Sequence, residues 1–164
     1  MITLQPISEV NFDAVLELKA SEKFVAPNSY SLAQAYCSLL NTINEGEPPR
    51  MPYAILNDEI VIGFLMTTWF ELDEEDDEEP IFDGDYFWIT RFMIDEKHQG
   101  KGYGKAAVAE LLKLYRAKPQ GYEANYVYLS CVPENHVATK MYERCGFKKT
   151  GQVLDDEVIM RLIL

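Results

Sequence analysis

Apolar residues recur along this chain with two different periods, and the switches between them outline the elements. Thr3 to Ile7 predicts a first short strand. Phe12, Val15, Leu16 and Lys19 carry a weak helical pattern over Asn11 to Lys19, which Ala26-Pro27-Asn28-Ser29 breaks. Leu32, Ala35, Tyr36, Leu39, Leu40 and Ile43 then fall three and four positions apart, the apolar stripe of an amphipathic helix over Ser31 to Ile43. Ser29 or Ser31 is its expected cap, and Gly46 and Pro48-Pro49 end it. Pro52 to Leu56 and Ile60 to Phe70 read as strands of a hairpin joined through Asn57-Asp58-Glu59. Gly63 inside the second marks a bulge or a close backbone approach.

Tyr86 to Ile94 resumes the β pattern. Val108, Leu111, Leu112 and Tyr115 line one face of a following helix, which Pro119 and Gly121 stop. Tyr126 to Val132 is a near-continuous apolar strand. Asn135 to Cys145 predicts a short helix with Val137, Ala138, Met141, Tyr142 and Cys145 inward and Gly146 at its C-terminal end. Phe147 to Val153 and Val158 to Leu164 close the chain as a hairpin through Asp155-Asp156. The order β-α-α-β-β-β-α-β-α-β-β, with no internal repeat and no linker, is that of an α/β fold with a central sheet, one domain over residues 1–164.

The segment between the Tyr86–Ile94 strand and its helix is Gln99-Gly100-Lys101-Gly102-Tyr103-Gly104. Glycines let the backbone come close to a ligand, and a helix start offers unpaired N–H groups at the positive dipole end. That is a place for phosphate, and strand-loop-helix is the context that gives a glycine motif meaning. Lys105 stands three after Gly102, so the register is not that of a dinucleotide fingerprint, and no Walker A loop is present. The plainer alternative is a glycine-rich turn that only begins a helix.

Composition narrows the function further. With 48% apolar residues in 164, the chain has enough for a sizeable core, and no apolar run reaches membrane-spanning length. The N-terminus has no basic region followed by an apolar stretch, so no signal peptide is expected. Cys37, Cys131 and Cys145 lack metal-ligand spacing, as do His98 and His136. The thiols fit a reducing cytoplasm, each as a small core residue. A net charge of −12 opposes nucleic-acid binding and favours a cationic partner. Much of it sits in Glu71 to Glu79, eight carboxylates in nine positions. The run reads as a solvated loop, as a funnel that concentrates a polycation, or as both.

Gln99-x-x-Gly102-x-Gly104 before a helix, then a strand, then Asn135 and Tyr142 ahead of Gly146-Phe147, resembles the GNAT superfamily of N-acetyltransferases. The resemblance covers about residues 60–164, and the two N-terminal helices fit the superfamily's usual opening. Phe87 to Asp95, Ser31 to Tyr36 and Val158-Ile159-Met160-Arg161 are similar to the bacterial spermine/spermidine (diamine) acetyltransferases. The implied fold is a central mixed, mostly antiparallel sheet flanked by helices. The implied co-substrate is acetyl-CoA, with no metal.

By that resemblance, the backbone N–H groups of Gly100, Lys101, Gly102, Tyr103, Gly104 and Lys105 cradle the pyrophosphate, and Gln99 opens the same cofactor-binding motif. Lys101 and Lys105 add charge or are simply solvated. Phe92, Met93 and Ile94 bind the pantetheine arm by backbone, in a strand that diverges from the next. Asn135 contacts the arm or only caps its helix. Tyr142 is the implied general acid for the departing thiolate, protonated at neutral pH. Some polyamine acetyltransferases carry a glutamate late in the strand where this chain has Thr90 and Arg91, so the base is unassigned among Glu71, Asp85 and a water chain. Trp88 lines a substrate channel or packs in the core.

The expected function is direct acetylation of a small cationic amine, a polyamine foremost. An aminoglycoside, an amino-acid-like metabolite or a protein N-terminus is the alternative acceptor, and a non-catalytic acyl-CoA-binding module is the alternative class. The resemblance also admits a homodimer.

Overall fold

The computed structural model describes residues 1–20, 27–45, 50–72 and 82–164, with the side chains of 41–45 left aside. Its elements are β1 (Ile2–Pro6), α1 (Phe12–Leu16), α2 (Asn28–Glu45), β2 (Arg50–Asn57), β3 (Ile60–Phe70), β4 (Tyr86–Ile94), α3 (Tyr103–Arg116), β5 (Tyr126–Cys131), α4 (His136–Arg144), β6 (Lys148–Leu154) and β7 (Glu157–Ile163). The strands form one sheet in the order β1-β2-β3-β4-β5-β7-β6. Every neighbouring pair is antiparallel except β4 and β5, which run parallel. The expected mixed, mostly antiparallel sheet is thus observed.

Two bulges set which side chains face which side. In β3, Ile62 is the extra residue between the Ile55↔Gly63 and Leu56↔Val61 pairs. Beside it, a Cβ on Gly63 would sit 2.5 Å from the Met93 carbonyl oxygen, so this glycine marks a close approach as well as a bulge. In β4, Thr90 is the extra residue between Met66↔Arg91 and Thr67↔Ile89. Its hydroxyl donates to the Met66 carbonyl at 2.9 Å, so the ladder bond lost at the bulge is replaced.

One face of the sheet packs against α3 and α4. Tyr53 and Ile55 of β2, Phe87 and Ile89 of β4, Val108 and Leu111 of α3 and Tyr142 of α4 share that core. On the other face Ala54, Phe64, Met66 and Met93 meet Val15 of α1 and Ala35 of α2, which lie over β3 and β2. Burying some thirty apolar side chains at about 1.5–3 kcal/mol each for the large ones is the main force holding the layers.

The N-terminal helices depart from the apolar pattern. Helix α1 spans only Phe12–Leu16, because the chain beyond it is tied elsewhere: the Lys19 N–H donates to Asp95, and its carbonyl accepts from the Glu96 N–H. Helix α2 begins at Asn28, whose side-chain amide donates to the Val15 carbonyl. Ser31 therefore lies inside the helix rather than capping it. The face turned to the sheet is Asn28, Ser31 and Ala35, while Tyr36 and Leu39, expected inward, are 64% and 48% exposed. Small residues let the helix sit close, and the Ser31 hydroxyl is needed by Arg91. Cys37, expected in the core, is exposed on the outward face, as Val137 is on α4. Gly46, Pro48, Pro49 and the acids from Asp73 to Glu79 lie outside the described residues.

Candidate active site

The parallel pairing of β4 with β5 covers only Tyr86↔Tyr126, Phe87↔Val127 and Trp88↔Tyr128. Past Trp88 the strands part, and a cleft of about 510 Å³ opens between them. Its lining follows from the split: Ile89 to Phe92 on the β4 side, Leu129 to Val132 on the β5 side, and Asn135, Ala138 and Tyr142 from α4. The expected divergence of this strand from the next is therefore present, beginning after Trp88, and on that side β4 has no ladder partner among the described residues along Ile89 to Ile94.

At the far end of β4, Asp95 holds the chain as it turns. Its carboxylate accepts from the Lys97 N–H and the Lys19 N–H, each at 3.0 Å. Burial pushes this carboxyl up, but the two backbone donors outweigh it and hold it below its ordinary value, with Lys97 and His98 adding to the effect. The Gln99 side-chain amide donates back to the Ile94 carbonyl at 2.8 Å. Gly100 and Gly102 follow with φ of 73° and 81°, a left-handed backbone that favours glycine. A Cβ at either would meet nothing within 4 Å, so the space over the loop is open. Gly102 is the N-cap residue of α3 and supplies no side-chain cap, which leaves the first-turn N–H groups of Tyr103, Gly104 and Lys105 facing outward from the helix start. Lys101 reaches the Lys97 carbonyl with its ammonium group.

Tyr142 sits at the point where β4 and β5 part. It is 6% exposed, edge-on to Phe92 at 6.1 Å and to Phe147 at 5.6 Å. No group among the described residues hydrogen-bonds its hydroxyl. Burial, and then the nearby Cys131 and Cys145 thiols, push its phenol well above the ordinary value. It is therefore a donor at any ordinary pH, more firmly than the unperturbed value implied. Asn135 caps α4, its Oδ1 accepting from the Ala138 N–H at 3.2 Å, and it also lines the cleft.

The opposite face of the split carries a different chemistry. The register Thr68↔Trp88↔Tyr128↔Arg161 places Trp88 and Tyr128 on the α2 side of the sheet. There Phe82 stacks on Tyr86 at 4.4 Å and meets Trp88 edge-on at 5.9 Å. Trp88 thus packs among these rings and also lines the cleft. Arg91 is fixed by its own donors, Nε to the Ser31 hydroxyl at 3.1 Å and Nη1 to the Thr90 carbonyl at 2.8 Å. Glu157 faces it across the cleft and accepts from the Ser130 hydroxyl.

Neither Glu157 nor Arg91 was expected here as a site residue. The hairpin was expected to resume at Val158, yet the two-residue turn Asp155-Asp156, with φ of 49° and 65°, starts β7 one residue earlier. Asp85, a candidate base, instead accepts from the Leu72 N–H and does not line this cleft. Among the described residues no group of three or more His, Cys, Asp or Glu could hold a metal ion, and no helix is long and apolar enough to cross a membrane.

Against known proteins, the model of the acetyltransferase (GNAT) family matches residues 12–147. The spermine/spermidine N(1)-acetyltransferase of Bacillus subtilis is 29% identical over 157 residues, 93% of this chain and 91% of that protein. Among solved structures, aminoglycoside acetyltransferase AAC(6')-Ib with coenzyme A superposes with a TM-score of 0.73 at 20% identity, covering 99% of this chain and 95% of that one. The PaiA N-acetyltransferase of Thermoplasma acidophilum with coenzyme A superposes at 0.65 with 16% identity, covering 100% and 99%.

The Asp95 clamp yields a test. In Asp95→Ala, two part-buried backbone hydrogen bonds to the carboxylate are lost, a loss expected to cost about 1–3 kcal/mol in total, read by urea unfolding at pH 7. Because its folded carboxyl is held below the ordinary carboxylate range, its stabilisation is present above that range. It is lost as pH falls through the lower, folded value. The gap between wild type and Asp95→Ala should therefore close in strong acid; a gap that stays constant from pH 7 to pH 2 would mean the carboxylate is not the clamp.

Proposed function

The chain belongs to the acetyltransferase (GNAT) family, and on that premise we propose that the cleft between β4 and β5 is where acetyl-CoA meets a polyamine. As a family member the protein is an N-acetyltransferase that takes acetyl from acetyl-CoA to an amine. The observation that carries the site reading is the Tyr142 hydroxyl, carried by a buried ring at the split, proton-bearing and without a hydrogen-bond partner among the described residues.

The rest of the site fits the co-substrate. Open space over Gly100 and Gly102, with free N–H groups at the start of α3, suits a pyrophosphate. Gln99, Lys101, Tyr103, Gly104 and Lys105 belong to the same cradle. The edge of β4 at Phe92, Met93 and Ile94, which has no neighbouring strand there among the described residues, suits the amides of a pantetheine arm, which would add to the sheet as a further strand does. Asn135 stands where that arm would pass.

The chemistry then needs little from the protein beyond position and one proton. The neutral amine nitrogen forms a bond to the thioester carbon, and the carbon–sulfur bond breaks with its electron pair on sulfur. Tyr142 gives sulfur a proton. The nitrogen sheds one proton as the amide forms, and that proton restores the phenol directly or through water. Burial keeps the phenol protonated, so a proton is on hand at the place where negative charge develops on sulfur.

Three observations favour a polyamine. The chain carries a net charge of −12. The acidic run Glu71–Glu79 is bracketed by Phe70 and Phe82, and both rings line the cleft. Asp83 anchors the far bracket: the Tyr128 hydroxyl donates to it and holds its carboxyl low, Arg161 adds to this, and burial opposes both. The 29%-identical relative is named for spermine and spermidine.

Three outcomes are expected. Gly102→Val should lose acetyl-CoA binding by calorimetry while remaining folded, since its side chain fills the space over the loop; unchanged affinity in a folded variant refutes the cradle. Tyr142→Phe should lower kcat by about 100-fold with acetyl-CoA affinity kept, the lower end for a lost general acid. Full turnover in that variant would make Tyr142 a packing residue only. Finally, kcat/KM for spermidine, scored by CoA release, should exceed that for a simple monoamine at low salt. It should also fall more steeply with salt, because exposed charges are screened beyond about 8 Å at physiological ionic strength. Monoamines acetylated as fast as spermidine would leave the acetyltransferase and remove the polyamine.

A further inference from the structure

We propose that Glu157, together with the Ser130 hydroxyl and the aromatic shelf of Phe82, Tyr86 and Trp88, is the subsite that takes the acceptor's ammonium group. This rests on reading the cleft as the acceptor site and holds for any cationic alkylamine, polyamine or not.

Among the described residues, Glu157 is the one carboxylate that lines the cleft. It is placed by backbone rather than by chance. The tight turn at Asp155-Asp156 starts β7 at Glu157, opposite Leu154, and the β5 register sets Ser130 beside Ile159, two residues further along the same face. The Ser130 hydroxyl donates to Oε2. Oε1 has no partner among the described residues, so one oxygen is used to orient the carboxylate and the other is left for a ligand. The nearby Asp83 carboxylate is not available in the same way, since Tyr128 and Arg161 already engage it.

Charge across the cleft points the same way. Arg50 and Arg91 line the wall opposite, and neither has a carboxylate partner among the described residues. A cation entering between them and Glu157 is repelled from one wall and attracted to the other. Its flank then rests on Phe82, Tyr86 and Trp88, whose ring centroids lie 4.4–6.4 Å from one another. Tyr142 lines the same cleft from α4, so an amine held at Glu157 enters from the side opposite the proton donor.

The test compares Glu157→Gln, Glu157→Asp and Ser130→Ala with wild type on spermidine and on hexylamine, with calorimetry for acetyl-CoA and thermal unfolding alongside. Loss of a charge-assisted hydrogen bond should lower kcat/KM of Glu157→Gln about 30-fold for both amines, carried by KM. Acetyl-CoA affinity and unfolding temperature should not move, Glu157→Asp should keep more activity than Glu157→Gln, and Ser130→Ala should lose less. Unchanged kcat/KM in Glu157→Gln overturns the subsite. So does a loss matched by Ser130→Ala with a lowered unfolding temperature, which would make the pair a structural tie. Wild type acetylating hexylamine but not spermidine would refute the polyamine and leave this subsite to be judged on hexylamine, whereas turnover of neither amine refutes both.

Discussion

The structure depends on how briefly β4 and β5 pair. Three residues of each strand form a parallel ladder, and then the strands part. A sheet that separates in its middle exposes backbone groups that folding normally satisfies. The fold tolerates this because β4 remains fully paired on its other side with β3, and because Thr90 covers the one carbonyl that the bulge would orphan. The result is an open edge inside the protein, backed by a rigid sheet. Such an edge can accept an extended ligand without any rearrangement of the layers.

The bulge at Thr90 has a second effect. Side chains alternate along a strand, so one inserted residue reverses the alternation beyond it. Before it, Phe87 and Ile89 face the α3 side; after it, Phe92 packs on that side against Tyr142, while Arg91 and Met93 face α2. Without the extra residue, Arg91 would be driven towards the apolar core of α3 and Phe92 would leave Tyr142. One inserted residue therefore separates a cleft wall with polar and cationic groups from one with the Tyr142 phenol.

Much of this organisation is legible in the chain itself. Strand and helix order follow from period, and the glycine loop between a strand and a helix is visible as spacing. Tyr142 is found by its distance from Gly146-Phe147. Other features depend on pairings that no local pattern encodes. The stripe Leu32, Tyr36, Leu39 and Leu40 looks like a buried face, yet the helix turns Asn28, Ser31 and Ala35 to the sheet. That orientation is tied by the Asn28 amide on the Val15 carbonyl and by a donor from Arg91, sixty residues away from Ser31. Glu157 was hidden for a similar reason. It reads as a turn residue after two aspartates, and only the register of β7 against β5 brings it beside Ser130. Thr90 has no signal as a bulge, since a threonine in a strand is ordinary.

The electrostatics of the two ends of the cleft are opposite, and that is a physical requirement of joining these two reactants. Acetyl-CoA is an anion whose phosphates gain from N–H donors and the positive end of a helix. An ammonium-bearing acceptor gains from carboxylates and π-faces. If both sets of groups lay together they would neutralise each other. Here the sheet keeps them apart: the loop after β4 and the start of α3 stand at one end, while the aromatic shelf and Glu157 stand on the other side of the split. Only the reacting atoms need to meet, and in the proposed site they would do so beside a phenol that burial keeps neutral. A charged acid at that point would be held by one partner or the other. An uncharged donor favours neither reactant before the thiolate forms, and in the proposed mechanism it would act where negative charge develops on sulfur.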